Sequence, residues 1–378
     1  MRIALIRQRY TGSGGAERYV AQLATGLAAA GHEVHVFAHR WSDVSPDITV
    51  HHVPMVRAPA FLRVISFAWA AHRMSRRGAY DVVHSFDRTL SPDVYRAGDG
   101  CHQAWLERRR LLGNRRGALD QLNPLHRSLL LLDGHLFRGG ARRIIVNSRM
   151  VREEILRYYD TPAAALQLIY TGVDLTRFQR ASTAPARTAL RASLGVSPDD
   201  PVVLFAGSGF ERKGLRILLE AVGRLRAVPA LRLWVLGKGD PRFLQGQAAR
   251  LGIAGQVHFA GPVTDPERWM ATADLFVLPT IYDPFSNACL EALASGLPVI
   301  TTAANGAAEI VEEGCTGSVL DDPRDVDGLA SRIMEFLRSE RREERSRAAR
   351  AAAGAFPAEA HVQQVLALYE NLLSGTRT

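Results

Sequence analysis

The 378-residue sequence predicts an α/β protein made of two doubly wound, parallel-sheet domains in series. Three observations predict it. The chain is longer than one hydrophobic core ordinarily serves. Apolar, β-branched runs alternate with amphipathic stretches along nearly all of it, and the alternation restarts once, near the middle, behind a polar segment containing prolines. Short apolar runs joined by helical segments suit a sheet of parallel strands covered on both faces, because each parallel neighbour needs a crossover.

The first series begins with a strand at Ile3–Ile6, a helix over 16–30 and a strand at Val34–Phe37, and continues through Val82-Val83 and Ile144–Val146. Linker chemistry follows between Phe178 and Asp200, carried by Ser182, Thr183, Pro185, Ser197, Pro198, Asp199 and Pro201, so domains of 1–178 and 179–356 are expected. The second series runs through Val202–Phe205, Leu233–Leu236, Val257–Phe259, Leu275–Leu278, Val299–Thr301 and Gly317–Leu320. The Arg-, Glu- and Ala-rich stretch 324–352 reads as solvated helix. The last helix, 357–373, has an apolar face of Val362, Val365, Leu366, Leu368, Tyr369 and Leu372 that must be buried.

Composition removes several classes. With 47% hydrophobic and 22% charged residues, the chain is not a disordered one. Cys101, Cys289 and Cys315 are odd in number and form no CxxC pair, which argues against a disulfide scaffold and for a reducing cytoplasm. The apolar run Leu129–Leu132 stops at Asp133, far short of a membrane span, and Arg7 interrupts the first apolar run before it could serve as a signal-peptide core.

The net charge of +9 is unevenly placed: residues 1–178 hold 25 arginines against 15 acids, whereas 179–378 hold 22 basic residues against 23 acidic ones. Segment 57–77 has five arginines and no acid, and 101–143 has nine, among them Arg108, Arg109, Arg110, Arg115 and Arg116. Arginines mixed with Phe, Trp and Leu suit an anionic membrane surface or a phosphorylated lipid better than a nucleic acid; the alternative is a solubilising face. Only two lysines occur, Lys213 and Lys238, both beside glycine in loops after apolar strands. A chain that otherwise uses arginine has reason to keep a compact point charge there, unless the coincidence is accidental.

Three loops are candidates for chemistry. Thr11-Gly12-Ser13-Gly14-Gly15-Ala16-Glu17 links a strand to a helix, where bare N–H groups and the helix dipole favour an anion. It is not a dinucleotide fingerprint, since Glu17 stands at the third glycine and the second strand ends in His39-Arg40 rather than an acid. The second series opens in the same way with Ala206-Gly207-Ser208-Gly209-Phe210, then Glu211-Arg212-Lys213-Gly214 at a helix start. Two cations at a helix N-terminus oppose the dipole, and a bound pyrophosphate accounts for them, unless they are simply two exposed basic residues. The third loop, Tyr282-Asp283-Pro284-Phe285-Ser286-Asn287, leads into a helix carrying Glu291. There the N–H groups of Phe285, Ser286 and Asn287 lie between two carboxylates, although an N-capping acid and a helical glutamate are each common.

These loops, with Gly14-Gly15-Ala16-Glu17-Arg18, Ile169-Tyr170-Thr171-Gly172-Val173-Asp174, Val257-His258-Phe259-Ala260-Gly261, Gly296-Leu297-Pro298-Val299 and Asn305-Gly306 before Glu309, resemble the retaining, nucleotide-sugar-dependent glycosyltransferases of family 4. The resemblance spans almost the whole chain. Within that family the sequence is most similar to the lipopolysaccharide core glucosyltransferase I type, through Phe205–Gly214, Pro92–Asp99 and the basic insertion that follows.

The resemblance implies a GT-B fold, two Rossmann-like domains facing across a cleft, with 357–378 packing back on the first. It implies transfer of a hexose, glucose by preference, from a UDP-sugar to a core heptose or similar lipid-linked saccharide, by a protein bound peripherally at the inner face of the cytoplasmic membrane. It places Arg212 and Lys213 on the donor diphosphate, with Gly14, Gly15 and Gly207 close to it and Pro262-Val263 against the uracil. Glu291 falls on the ribose, and Asp283 with the amides of Phe285, Ser286 and Asn287 on the sugar and distal phosphate. Asp99, with Glu17, is assigned to the acceptor; a turn acid between Gly98 and Gly100 is the other reading of Asp99. No nucleophilic carboxylate, metal or other cofactor is expected, and Asp325-Val326-Asp327 reads as a helix cap. Asp283 and Ser286 depart from the more frequent Glu and Gly, which leaves open a different UDP- or GDP-sugar and an O-antigen, capsule or glycolipid product. A binding protein without chemistry is the more distant alternative.

Overall fold

The computed structural model describes residues 1–9, 15–42, 45–110, 122–179, 184–338 and 340–375. The chain divides into two compact units, Met1–Thr171 joined by the stretch from Ala358, and Gly172–Pro357. The division precedes the expected boundary at 178. Residues 173–178 belong with the second unit because the Val173 N–H donates to the Phe356 carbonyl at 2.9 Å and Arg177 binds Glu267 at 3.0 Å.

The first unit contains β1 (Arg2–Ile6), α1 (Gly15–Ala29), β2 (Glu33–Ala38), β3 (Ile48–His52), α2 (Ala60–Ser75), β4 (Val82–Ser85), β5 (Val94–Arg96), α3 (His102–Arg110), α4 (Pro124–His135), β6 (Arg143–Val146), α5 (Arg149–Tyr158) and β7 (Leu166–Leu168). Its seven strands are parallel in the order β3-β2-β1-β4-β5-β6-β7. β1 is buried from Ile3 to Ile6, so it reads as one continuous apolar run, as a strand covered on both faces must.

The second unit holds α6 (Ala184–Ser193), β8 (Val202–Ala206), α7 (Leu215–Arg224), β9 (Arg232–Leu236), α8 (Arg242–Arg250), β10 (Val257–Gly261), α9 (Pro266–Thr272), β11 (Leu275–Val277), α10 (Asn287–Ala294), β12 (Val299–Thr302), β13 (Gly317–Leu320), α11 (Val326–Leu337) and α12 (Arg342–Ala353). The parallel order is β10-β9-β8-β11-β12-β13. The stretch expected as solvated helix is two helices with inward faces. Leu329, Ile333 and Phe336 of α11 are buried, and so is Arg345 of α12, whose guanidinium lies 4.0 Å from the Phe336 ring centroid. Asp325 caps α11 by accepting from the Gly328 N–H at 2.8 Å.

The final helix, α13 (Ala358–Ser374), packs in the first unit. Val362, Val365, Leu366, Leu368, Tyr369 and Leu372 share a core with Ile3, Leu5, Tyr19, Leu23 and Leu27. Gly26 of α1 permits the close approach, for a β-carbon there would lie 2.7 Å from Val362 Cγ2. Two polar contacts fix the register. His361 Nδ1 donates to the Tyr170 carbonyl at 2.7 Å while its Nε2 accepts from the Tyr19 hydroxyl at 2.8 Å, and His84 Nδ1 lies 2.6 Å from the Tyr369 hydroxyl. Burial holds His361 near pKa 4 and lowers His84 well below the usual histidine range, in each case with Arg96 adding to the effect.

Candidate functional site

In the second sheet the chain passes from β8 outward through β9 to β10, then returns to β11 on the other side of β8. The strand order therefore reverses between β8 and β11, and the carboxyl ends of strands at such a reversal are where doubly wound sheets bind ligands. Both candidate loops of this unit lie there.

The loop after β8 carries Gly207, Arg212 and Lys213. Gly214 ends it at φ +76° as the N-cap of α7, and a β-carbon there would lie 1.9 Å from the Pro279 carbonyl oxygen. Only glycine fits that backbone, which presses the two loops together. The Arg212 carbonyl accepts from the Ile281 N–H at 2.9 Å and from the Thr280 hydroxyl at 3.0 Å; its guanidinium donates to the Tyr282 carbonyl at 2.8 Å. Lys213 is buried, with Nζ bound to Asp283 Oδ2, and its aliphatic stem passes beside Gly207. The cation pair opposed to the helix dipole thus has an internal counter-charge. Glu211, exposed at the start of the same turn, balances the two loops overall, and the excess of cations is confined to the Arg212, Lys213 and Asp283 cluster itself.

The loop after β11 is fixed from the far side by Asn305. The Asp283 N–H donates to the Ala304 carbonyl and its own carbonyl accepts from Gly306, both at 2.9 Å. The fully buried Asn305 side chain accepts from Ser286 N–H at 3.1 Å and Ala307 N–H at 3.0 Å, and donates to Thr301 Oγ1 at 2.9 Å. The Ser286 N–H, expected to face a phosphate, is therefore engaged by Asn305. Ser286 is the N-cap of α10, whose first five residues bring Asn287 and Glu291 to one half-buried face, four residues apart. Phe285 is buried. Burial pushes the Cys289 thiol up to about 12, so it is no nucleophile at neutral pH.

The neighbouring strand ends complete the rim. Lys238, after β9, is exposed, and its N–H donates to Ser208 Oγ at 3.2 Å. Pro262 is exposed and Val263 half-buried just after β10.

The remaining candidates lie in the first unit. Gly14, Arg115 and Arg116 fall outside the described residues, and Gly15 opens α1. The reversal of strand order here is between β1 and β4, and an ionic network surrounds it that sequence reasoning did not find. Arg7, after β1, donates to Asp87 Oδ1 at 3.3 Å and lies 4.0 Å from Glu17. Arg88 grips the fully buried Asp133 through Nε at 2.6 Å and an Nη at 3.3 Å, and its other Nη lies 3.6 Å from Asp99. Burial raises the pKa of both Asp87 and Asp133, against the pull of Arg7 and Arg88 respectively. Asp133 also accepts from the His102 N–H at 3.0 Å, and burial, with Arg88 and His126, lowers the His102 ring to about 3. Of the arginines expected at a membrane, Arg108 donates to Glu154 at 3.0 Å, Arg109 is half-buried and Arg110 is exposed.

Two family models match in series: glycosyltransferase family 4 over residues 13–177 and glycosyl transferases group 1 over 186–354. A D-inositol 3-phosphate glycosyltransferase of Geodermatophilus obscurus is 32% identical over 391 residues, covering 94% of this chain and 84% of its own. The chain belongs to the group 1, family 4 glycosyltransferases. The lipopolysaccharide glucosyltransferase WaaG of Escherichia coli is 27% identical to this glycosyltransferase over 330 residues, with 85% of this chain and 86% of that protein covered. The crystal structure of WaaG, a glycosyltransferase involved in lipopolysaccharide biosynthesis, matches with a TM-score of 0.84 at 24% identity, covering 96% and 98% of the two chains. The fold of this glycosyltransferase is accordingly GT-B. The structure of HepE from Anabaena in complex with UDP and glucose matches with a TM-score of 0.77 at 22% identity, covering 98% and 99%. The enzyme is a nucleotide-sugar glycosyltransferase.

Proposed function

We propose that this glycosyltransferase moves glucose, with retention, from UDP-glucose to a lipid-linked saccharide such as a lipopolysaccharide core heptose, at the cytoplasmic face of a membrane. The observation that carries the reading is the meeting of Arg212, Lys213 and Asp283 at the reversal point of the second sheet, two cations to one carboxylate within the cluster itself. A diphosphate suits that excess, and cations placed before the reaction stabilise charge as it develops on the departing UDP. Likeness to WaaG and to a UDP- and glucose-bound structure supports the donor.

In this mechanism the bond from the anomeric carbon to the β-phosphate oxygen breaks, and the acceptor oxygen bonds to the same face of the sugar. The acceptor proton passes to the departing phosphate oxygen. Lys213 and Arg212 neutralise the leaving group, Glu291 holds the ribose, Asp283 with the amides of Phe285 and Asn287 orients the sugar, and Pro262-Val263 line the uracil. Asp99 and Glu17 accept hydrogen bonds from acceptor hydroxyls. No metal takes part.

A second reading keeps the family and changes the substrates. It is favoured by Asp283 and Ser286 and by inositol phosphate and sucrose phosphate enzymes among the similar proteins. Nucleoside diphosphate release, measured across UDP- and GDP-sugars with and without lipid-linked and soluble acceptors, decides between them. We expect UDP-glucose with a heptose-containing lipid acceptor to be fastest, at a rate unchanged by chelator. Faster release from a GDP-sugar, or with inositol phosphate as acceptor, overturns the substrate assignment, and a rate abolished by chelator overturns the metal-free reaction.

A further inference from the structure

The chain's second lysine has no part in the reaction described so far. Lys238 follows Gly237 at the carboxyl end of β9, the strand between β8 and β10. Its loop is joined to both neighbours through the backbone. On the β8 side the Lys238 N–H donates to Ser208 Oγ at 3.2 Å, the Lys238 carbonyl accepts from the Gly209 N–H at 3.3 Å, and the Gly207 N–H donates to the Leu236 carbonyl at 3.0 Å. On the β10 side the Gly237 N–H donates to the carbonyl of Gly261, the residue directly before Pro262-Val263, at 2.8 Å.

Gly237 permits this close joining. It sits at φ +132°, and a β-carbon there would lie 2.1 Å from the Gly207 carbonyl oxygen. The backbone of Lys238 is thus fixed between two loops while the residue itself stays exposed. The acid of the same loop, Asp240, is engaged by Arg242, whose Nε lies 2.9 Å from each carboxylate oxygen.

Order along the sheet indicates the chemistry of the ligand. Arg212 and Lys213 follow β8, Pro262-Val263 follow β10, and Lys238 stands between them, with neighbouring strands about 4.8 Å apart. A nucleoside diphosphate laid across these strand ends, its outer phosphate at Lys213 and its base at Pro262-Val263, carries its inner phosphate past the end of β9. An ammonium on a flexible four-carbon stem is a point charge that can follow a single phosphate from an exposed rim, whereas a guanidinium is built for planar, bidentate contact.

We propose that Lys238 binds the inner phosphate of the donor nucleotide, the one esterified to the ribose. The assignment rests on the reading that a nucleoside diphosphate sugar is seated at Arg212 and Lys213. It gives the two lysines different work. Lys213 answers charge that develops as the outer phosphate departs. The inner phosphate carries the same charge before and during the reaction, so Lys238 holds ground state and transition state alike.

Calorimetric titration of the full chain with UDP, UMP and uridine tests it, together with steady-state kinetics. Lys238→Met should weaken UDP and UMP by about tenfold each, the loss of one charge-assisted hydrogen bond, and leave uridine within about twofold. Lys238→Arg, which keeps a cation, should weaken both by less than about threefold. In turnover Lys238→Met should raise the donor KM by about tenfold and lower kcat by less than about threefold. Undiminished binding of UDP and UMP by Lys238→Met overturns the proposal. So does an equal loss for uridine, which would put the lysine on the base or the ribose, and so does a loss for UDP without one for UMP, which would put it on the outer phosphate. A parent that binds none of the three overturns the donor reading and this assignment with it, whereas an unaffected Lys238→Met overturns the assignment alone.

Discussion

The two sheets offer the same topological place twice, and they furnish it with a different balance of charge. At the reversal point of the second unit, Lys213 binds Asp283, Arg212 lies beside them and Glu211 is exposed in the same turn, so cations and carboxylates are matched. At that of the first unit, Arg7 and Arg88 are surrounded by Glu17, Asp87, Asp99 and Asp133. One crevice suits a diphosphate. The other suits a neutral, hydroxyl-rich group, since carboxylates accept hydrogen bonds from hydroxyls and repel phosphate. Fold alone therefore does not distinguish the two places; the charges on the strand-end loops do.

The largest expected effect falls on the cationic side. Replacing Lys213 by methionine should lower kcat by about a thousandfold, the order seen when one pre-placed charge stabiliser is lost. It also strands Asp283 in a buried place, which costs stability of its own. The double variant Lys213→Met/Asp283→Asn separates the two, and it should recover the melting temperature without recovering turnover. If turnover returns with stability, Lys213 acts through folding and the contrast between the crevices loses its chemical meaning.

Much of this was legible in the sequence where one residue type or one pattern was informative by itself. The lysine at 213 stands out because there are only two, and β1, β8 and β11 stand out because strands buried on both faces are continuous apolar runs. β3, β5 and β7 escaped notice. β5 and β7 have three residues each, and β3 is an edge strand exposed along most of its length. Pairings were invisible for a different reason. Lys213 and Asp283 are 70 residues apart, and Ser286 and Asn305 are 19 apart, so neither contact exists until the loops are brought together. The network of Arg7, Asp87, Arg88 and Asp133 was hidden further by abundance, since in an arginine-rich half of the chain no single arginine looks special.

A second contrast between the units is in histidine. The first unit buries His84, His102 and His361 with lowered pKa, the latter two to about 3 and about 4. The second has His258 alone, which is exposed. A base whose pKa is lower folded than unfolded contributes stability above its unfolded pKa, near 6.5, and loses it as pH falls toward the folded value. At pH 5 His102 and His361 should each cost about 2 kcal/mol relative to neutral pH, at about 1.4 kcal/mol per pKa unit, and His84 adds in the same direction. Asp87 and Asp133, pushed up by burial, pull the other way as they take up protons. Hydrogen exchange corrected for intrinsic rates should therefore show α1, β4 and α13 opening between pH 7 and pH 5, while β8 and β11 keep their protection. The same loss of protection in both units would mean that the histidines do not set it.

The smallest effect tests the acidic crevice directly. Asp99 is the exposed end of a chain of contacts, its side chain 57% accessible and 3.6 Å from Arg88, which Asp133 fixes from behind. Asp99→Asn keeps the size and removes one acceptor, so the loss should be that of a single hydrogen bond to an acceptor hydroxyl, about 1 to 1.5 kcal/mol. That is about a tenfold rise in the acceptor KM, with the donor KM unmoved if the diphosphate binds at Arg212 and Lys213 as proposed. A rise in the donor KM instead would place Asp99 on the nucleotide. No change in either KM would make it the turn acid between Gly98 and Gly100, and the acidic crevice would then owe its charge to holding β1, β4 and α4 together rather than to a sugar.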